Sequence, residues 1–126
     1  MVTRTGPGGL AGEPLVGLGV AERLADTMFA LSTPSRVLIL GCLLGEPCSV
    51  GDLAVALGME QSAVSHQLRV LREHELVRAE RSGRRKLYSL HDEHVAALLR
   101  AGLEHVNRPG LGGHGRVAGE AAGQAG

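Results

Sequence analysis

At 126 residues the chain has room for one domain and not two. With one Phe, one Tyr and no Trp its core must be built from Leu, Val and Ala, two cysteines are too few for a disulfide scaffold, and no run of about 18 apolar residues offers a bilayer span, so a cytoplasmic chain with no membrane partner is expected. The formal net charge of zero excludes a generic polyanion binder, yet residues 61–90 carry seven basic side chains against three acidic ones, a local excess suited to phosphate.

Glycine draws the outline. Six of the 19 glycines fall in residues 1–19 and seven in residues 108–126, leaving six for the 88 residues between. Ends of that composition cannot offset their ordering entropy by burial. Flexible tails are therefore expected at 1–19 and 108–126, around a folded unit at 20–107.

Within that unit, "VAERLADTMFAL" sets Val20, Leu24, Met28 and Leu31 in a helical stripe. "STPSRVLILGCLLGE" follows, with Thr33 as the expected cap and Pro34 at the first helical position. Its nearly continuous apolar run predicts the most buried helix, ended by Gly45 and Pro47. Cys42 in that run and Cys48 in the connection "GEPCS" are expected to pack as small apolar side chains. "SVGDLAVALG" reads as a short helix stopped by Gly58.

"MEQSAVSHQLRVLREHEL" places Val64, Leu68 and Leu71 inward and turns Gln61, Ser65, His66 and Arg69 outward. Two short helices across a tight turn ending in Gly form a helix-turn-helix candidate. The polar face, with Gln61, Ser62, Ser65, His66 and Arg69, carries groups that hydrogen-bond base edges or phosphates in double-stranded DNA. His74, just beyond it, is expected at the surface. "LVRAERSGRRKLYSL" then reads as a hairpin turning at Ser82-Gly83, with Arg84, Arg85 and Lys86 at a basic tip. A basic hairpin in that place is a wing, able to contact phosphate or the minor groove.

The last helix runs from about Asp92 to Asn107, closed by Pro109 and Gly110. His94 and His105 lie eleven residues apart, about three turns, so they share a face within about 20°. They are also about 16 Å apart along the axis, too far to hold one ion. An antiparallel pair of such helices in a two-fold dimer brings His94 of one subunit to His105 of the other, twice over. The stripe Val95, Leu98, Leu99, Leu103, Val106 suits that packing. Asp92 has two readings: a helix cap, or a ligand converging with His94 from the not-yet-helical first position.

The expected architecture is mainly α with a β-hairpin wing, a winged helix-turn-helix in the order α-α-α-α-β-β-α. On the segments "QSAVSHQLRVL" and "GRRKLYSL", and over about Leu24 to His105, the chain resembles the ArsR/SmtB family of winged-helix, metal-responsive transcriptional regulators. Within it the chain looks most like the nickel/cobalt-sensing actinobacterial branch. The resemblance implies a homodimeric regulator, mostly of repressor type, whose operator affinity responds to a divalent metal: nickel or cobalt, then zinc.

It also implies a last-helix site of the form Asp-x-His with a second pair after ten intervening residues, matched here by Asp92, His94 and His105. The fourth position falls on Arg108, which cannot ligate. His114 in the tail or Glu104 can stand in for it. The family's alternative thiolate positions fall on Ser49 and Gly51, with Cys48 displaced by one, so no soft-metal site is expected there. Arg108 also leaves a regulator that takes its signal from a companion metal-sensing protein, or senses no metal. A small metalloenzyme on His91, Asp92 and His94 lacks a convincing cleft, a Gly-rich phosphate loop and an obvious general base, so no enzyme is expected.

Overall fold

The computed structural model describes residues 15–110. His114 and most of both expected tails lie outside the described residues. Five helices and one hairpin follow in the expected order: α1 (Leu18–Ala30), α2 (Pro34–Gly45), α3 (Val50–Leu57), α4 (Gln61–Glu73), β1 (Val77–Ser82), β2 (Arg85–Leu90) and α5 (Glu93–Asn107). α1 begins two residues before the expected boundary, inside the segment assigned to the tail.

The core forms around α2, as its apolar run predicts. Ile39, Leu40 and Leu43 meet Leu53 and Ala54 of α3, and Val64, Leu68 and Leu71 of α4. Leu76, Val77, Tyr88, Val95 and Leu99 close the other side. These side chains interdigitate without an aromatic centre, so each truncation opens a cavity, at about 2–5 kcal/mol for Leu to Ala.

The start of α2 differs from expectation. Thr33 occupies the cap position, but its side chain makes no capping hydrogen bond, and its buried Oγ1 has no partner. The backbone alone begins this helix, through Val37 N to Thr33 O at 3.2 Å. α3 has the capping box instead: Ser49 Oγ accepts from the Asp52 amide, and Asp52 Oδ2 accepts from the Ser49 amide, both at 3.0 Å.

α3 and α4 end on left-handed residues. Gly58 takes φ 66° without a Cβ to object. Glu75 takes φ 58° with one. Leu76 N to Leu71 O at 2.9 Å and Glu75 N to Arg72 O at 3.0 Å complete a Schellman end there, which holds Glu75 in its strained conformation.

β1 and β2 pair antiparallel, from Val77 opposite Leu90 to Ser82 opposite Arg85. The two-residue turn is therefore Gly83-Arg84, one residue later than Ser82-Gly83. Gly83 supplies the positive φ of 65° at the first turn position, where a II′ hairpin requires it. On the outer edge of β2, Cys48 exchanges backbone hydrogen bonds with Tyr88, at 3.0 and 2.8 Å. That bridge ties the wing's base to the start of α3.

α2 leaves α1 at 90°. Arg36, only 8% exposed, sits inside this corner. Its Nε donates to Ala30 O at 2.5 Å and one terminal nitrogen to Phe29 O at 3.4 Å, capping the end of α1. The other terminal nitrogen donates to Gln67 Oε1 of α4 at 3.0 Å. α1 otherwise contributes only Ala30 to the core, and Leu18, Val20, Leu24, Met28 and Phe29 are exposed, Phe29 by 70%. Among the described residues, no single helix is long and apolar enough to cross a membrane.

Two consequences can be measured by urea denaturation. Arg36→Met strands the Ala30 and Phe29 carbonyls and is expected to cost about 3 kcal/mol, since hydrogen bonds to a charged group are worth about 1.5–3 kcal/mol. Glu75→Gly relieves the left-handed Cβ and is expected to raise stability by up to about 1 kcal/mol, after the entropy that glycine loses on folding.

Candidate DNA-reading face and metal half-site

The outward face of α4 is built as its periodicity predicts. Burial of Val64, Leu68 and Leu71 leaves Gln61, Ser62, Ser65, His66 and Arg69 exposed on the opposite side. Gln67 is half-buried and spent on Arg36, so the readable face excludes it.

The wing's three basic residues are not equivalent. Arg84 stands in the turn, fully on the solvent side, its carbonyl accepting from Arg81 at 3.4 Å. Lys86 lies over the ring of Tyr88, 5.6 Å from its centre. Arg85 turns back onto α3, pairing with Asp52 Oδ2 at 2.5 Å and donating to Ser49 Oγ at 3.3 Å. Both partners are half-exposed, so solvent screening leaves the pair little weight in stability. Its effect is geometric: the wing is clamped to the first helix of the helix-turn-helix.

At the start of α5, Asp92 is the helix cap and also lies near His94. Oδ1 accepts from the Val95 amide at 3.1 Å, capping the helix. Oδ2 is left over and lies 3.8 Å from Nδ1 of His94, whose side chain is 98% exposed. The extended backbone of Asp92 (φ −161°, ψ −175°) is what lets residues two apart converge. The Val95 amide holds the Asp92 carboxyl below the usual carboxylate range, with His94 adding to the effect. An ionised oxygen beside an imidazole is a fitting half-site for a borderline divalent cation.

The other half is at the far end of the helix. His105 is exposed in the last turn, and Arg108 is the C-cap residue, exposed and without ligating capacity. Among the described residues, no three His, Cys, Asp or Glu side chains converge on one point. The apolar stripe of α5 divides: Val95 and Leu99 pack on the core with Leu98 half-buried, while Leu103 and Val106 stand exposed.

The cysteines are free and half-buried. Burial, with Cys42 nearby, pushes the Cys48 thiol up, the wrong direction for a thiolate ligand. His74 is not at the surface as expected. It is half-buried, with Nδ1 2.9 Å from Val70 O. Sequence reasoning also missed the exposed face of α1, because an apolar stripe is the same signal whether the partner is the chain's own core or another molecule.

A family model described as bacterial regulatory protein, arsR family, matches residues 33–79. The HTH-type transcriptional regulator NmtR of Mycobacterium tuberculosis is 54% identical over 92 residues, which cover 73% of this chain and 77% of that protein. A transcriptional repressor SmtB homolog of Synechocystis is 41% identical over 92 residues, 73% of this chain and 70% of its own. Among solved structures, apo-NmtR in solution superposes with a TM-score of 0.67 at 44% identity, covering 95% of this chain and 100% of that one. A homodimeric winged helix-turn-helix DNA-binding domain from Mycobacterium bovis superposes with a TM-score of 0.64 at 29% identity, covering 79% of this chain and 98% of that one.

The two capping carboxylates make a pH prediction. Hydrogen bonding to Ser49 lowers the Asp52 pKa as the Val95 amide lowers that of Asp92. A depressed folded-state pKa contributes stability that is present above the unfolded value of about 3.9 and lost as pH falls through the folded value. Urea midpoints should therefore fall more steeply through that acid range in the wild type than in Asp52→Ala or Asp92→Ala.

Proposed function

This chain belongs to the ArsR family of winged helix-turn-helix, DNA-binding transcriptional regulators, and from that premise we propose that it acts as a cytoplasmic homodimer whose affinity for operator DNA is set by a divalent metal ion held between the last helices of its two subunits. Asp92 carries this reading: one carboxylate oxygen is spent on the helix cap, and the other is ionised and lies 3.8 Å from Nδ1 of His94. Asp92 and His94 of one subunit, with His105 of the partner subunit, would hold the ion. Oxygen and imidazole donors without a thiolate suit nickel, cobalt or zinc.

The dimer surface is argued from what the fold leaves uncovered. Leu18, Leu24, Met28 and Phe29 on α1, with Leu103 and Val106 on α5, form apolar faces that the subunit's own core does not use. Burying these faces against a second copy stabilises the association by about 25 cal/mol per Å² removed from water. An antiparallel pairing of α5 then sets His94 against His105 of the partner subunit, as the about 16 Å rise between them requires.

The bound ion supplies a fixed link between subunits. Everything downstream is the work of the chain. Gln61, Ser62, Ser65, His66 and Arg69 of each α4 enter successive major grooves, and Arg84 and Lys86 meet the backbone while Arg85 holds the wing to α3. Half-site spacing on DNA demands one separation of the two α4 helices, and the metal-linked arrangement favours or disfavours that separation. The effect on DNA affinity equals the difference in metal affinity between the two arrangements. Arg108 supports a second reading, in which the dimer binds DNA but takes its signal from elsewhere.

Calorimetric titration of nickel into the full-length apo-protein separates these readings. One ion per subunit, lost in His105→Ala while sedimentation still reports a dimer, is the expected result. Binding untouched by His105→Ala would leave the second reading. On double-stranded DNA selected by the protein from a random pool, Arg84→Ala should reduce the slope of log affinity against log salt by about 0.9, the value of one phosphate contact. An unchanged slope would remove Arg84 from the interface.

A further inference from the structure

An open cleft of about 320 Å³ lies between the end of α4 and the start of α5. Its walls include Thr27, His74, Glu75, His91, Asp92 and His94, so the proposed half-site forms one side of it. The two walls are joined by the backbone, His91 N donating to Leu76 O at 2.9 Å. Glu75, held left-handed by the Schellman end of α4, turns the chain between His74 and that junction.

His74 has the tautomer that a ligand needs. A backbone carbonyl can only accept, so the 2.9 Å contact with Val70 O assigns the hydrogen to Nδ1. Nε2 is then the acceptor of a ring that lines the cleft. Metal-ligating histidines are commonly oriented in this way, with the second ring nitrogen donating to a carbonyl. Nothing in the fold or in DNA reading uses His74 otherwise. Exposed histidines free to rotate carry no such orientation, and His94 and His91 are of that kind.

We propose that His74 Nε2 is the fourth protein ligand of the ion, joining Asp92 Oδ2 and His94 of its own subunit and His105 of the partner subunit in the place that Arg108 cannot fill. The inference rests on the last-helix site described above. Among the described residues these donors do not yet converge on one point. The site closes by rotation of the exposed His94 side chain toward the cleft. Because His74 is the C-cap residue of α4, metal ligation then acts on the DNA-reading helix directly and not only through the dimer angle.

The test is titration of cobalt(II) into the full-length protein, followed by its d–d absorption, in the wild type and in His74→Asn, His91→Ala and His105→Ala. Asn keeps a donor for Val70 O and deletes Nε2. The expected result is at least ~10-fold weaker cobalt binding with an altered ligand-field spectrum in His74→Asn, and no change in His91→Ala. In the cobalt-loaded wild type, a hyperfine-shifted, slowly exchanging imidazole N–H resonance belonging to His74 is expected. That resonance needs no variant, and its absence overturns the proposal even where His74→Asn fails to fold.

An unchanged spectrum and affinity in His74→Asn, with binding lost in His105→Ala, overturns His74 as a ligand and leaves the cross-dimer site standing. Loss in His91→Ala but not in His74→Asn also overturns it. Loss in His74→Asn but not in His105→Ala upholds His74 and overturns the cross-dimer reading. No cobalt binding by the wild type overturns both.

Discussion

A guanidinium buried at the corner of α1 and α2 holds the rest of the molecule in register. Arg36 meets the last carbonyls of α1, where a helix has acceptors with no partner of its own and the negative end of its dipole. The same side chain reaches Gln67 on α4. One residue thus ties the helix with the uncovered apolar face, the core helix and the DNA-reading helix. A buried cation without these acceptors would cost several kcal/mol, so the three helices cannot part without exposing that cost. A displacement of α1 must strain its link to α4.

A similar economy governs the two ends of the DNA-reading unit. Asp52 caps α3 and clamps Arg85, so the wing is oriented by the same carboxylate that begins the helix-turn-helix. Asp92 caps α5 and keeps one oxygen beside His94. In each case a carboxylate has two oxygens, and the cap needs only one. The helix end fixes the side chain's position, and the second oxygen is presented in a defined direction. The cost is small because both groups remain partly solvated, which is also why neither pair contributes much stability by itself.

These arrangements place the groups of the proposed metal response at junctions rather than in the core. The core of Leu, Ile and Val side chains around α2 is packed and indifferent to charge. The apolar faces of α1 and of the second half of α5, the turn from α4 into β1, and the β2–α5 connection are where polar groups and uncovered surface accumulate. In the proposed dimer, affinity for DNA depends on the separation of two α4 helices, and every one of these junctions touches α4 or the surface that would set its distance from a second copy.

Much of this was legible in the chain. Apolar spacing, Pro34, Gly58 and the breaks at Gly45 and Pro109 delimit the helices, and the basic run around Gly83 marks a wing. These are local signals, written in residues within a turn or two of one another. The outward face of α4 follows from the positions of Val64, Leu68 and Leu71 alone. The Asp92–His94 pair follows from the geometry of a helix's first residue.

Tertiary structure alone decided the rest. Periodicity identifies an apolar stripe but not what covers it, and the stripe of α1 proved to be largely uncovered. Arg36 and Gln67 are 31 residues apart, and Arg85 and Asp52 are 33 apart, distances over which no local pattern pairs a donor with an acceptor. That His74 and Asp92 line one cleft depends on the left-handed Glu75 and the Leu76–His91 backbone bond, neither of which the residue types announce. Sequence specifies which faces and groups each element offers. Packing decides which of them meet, because contact is set by the sum of turns between elements and not by the elements themselves.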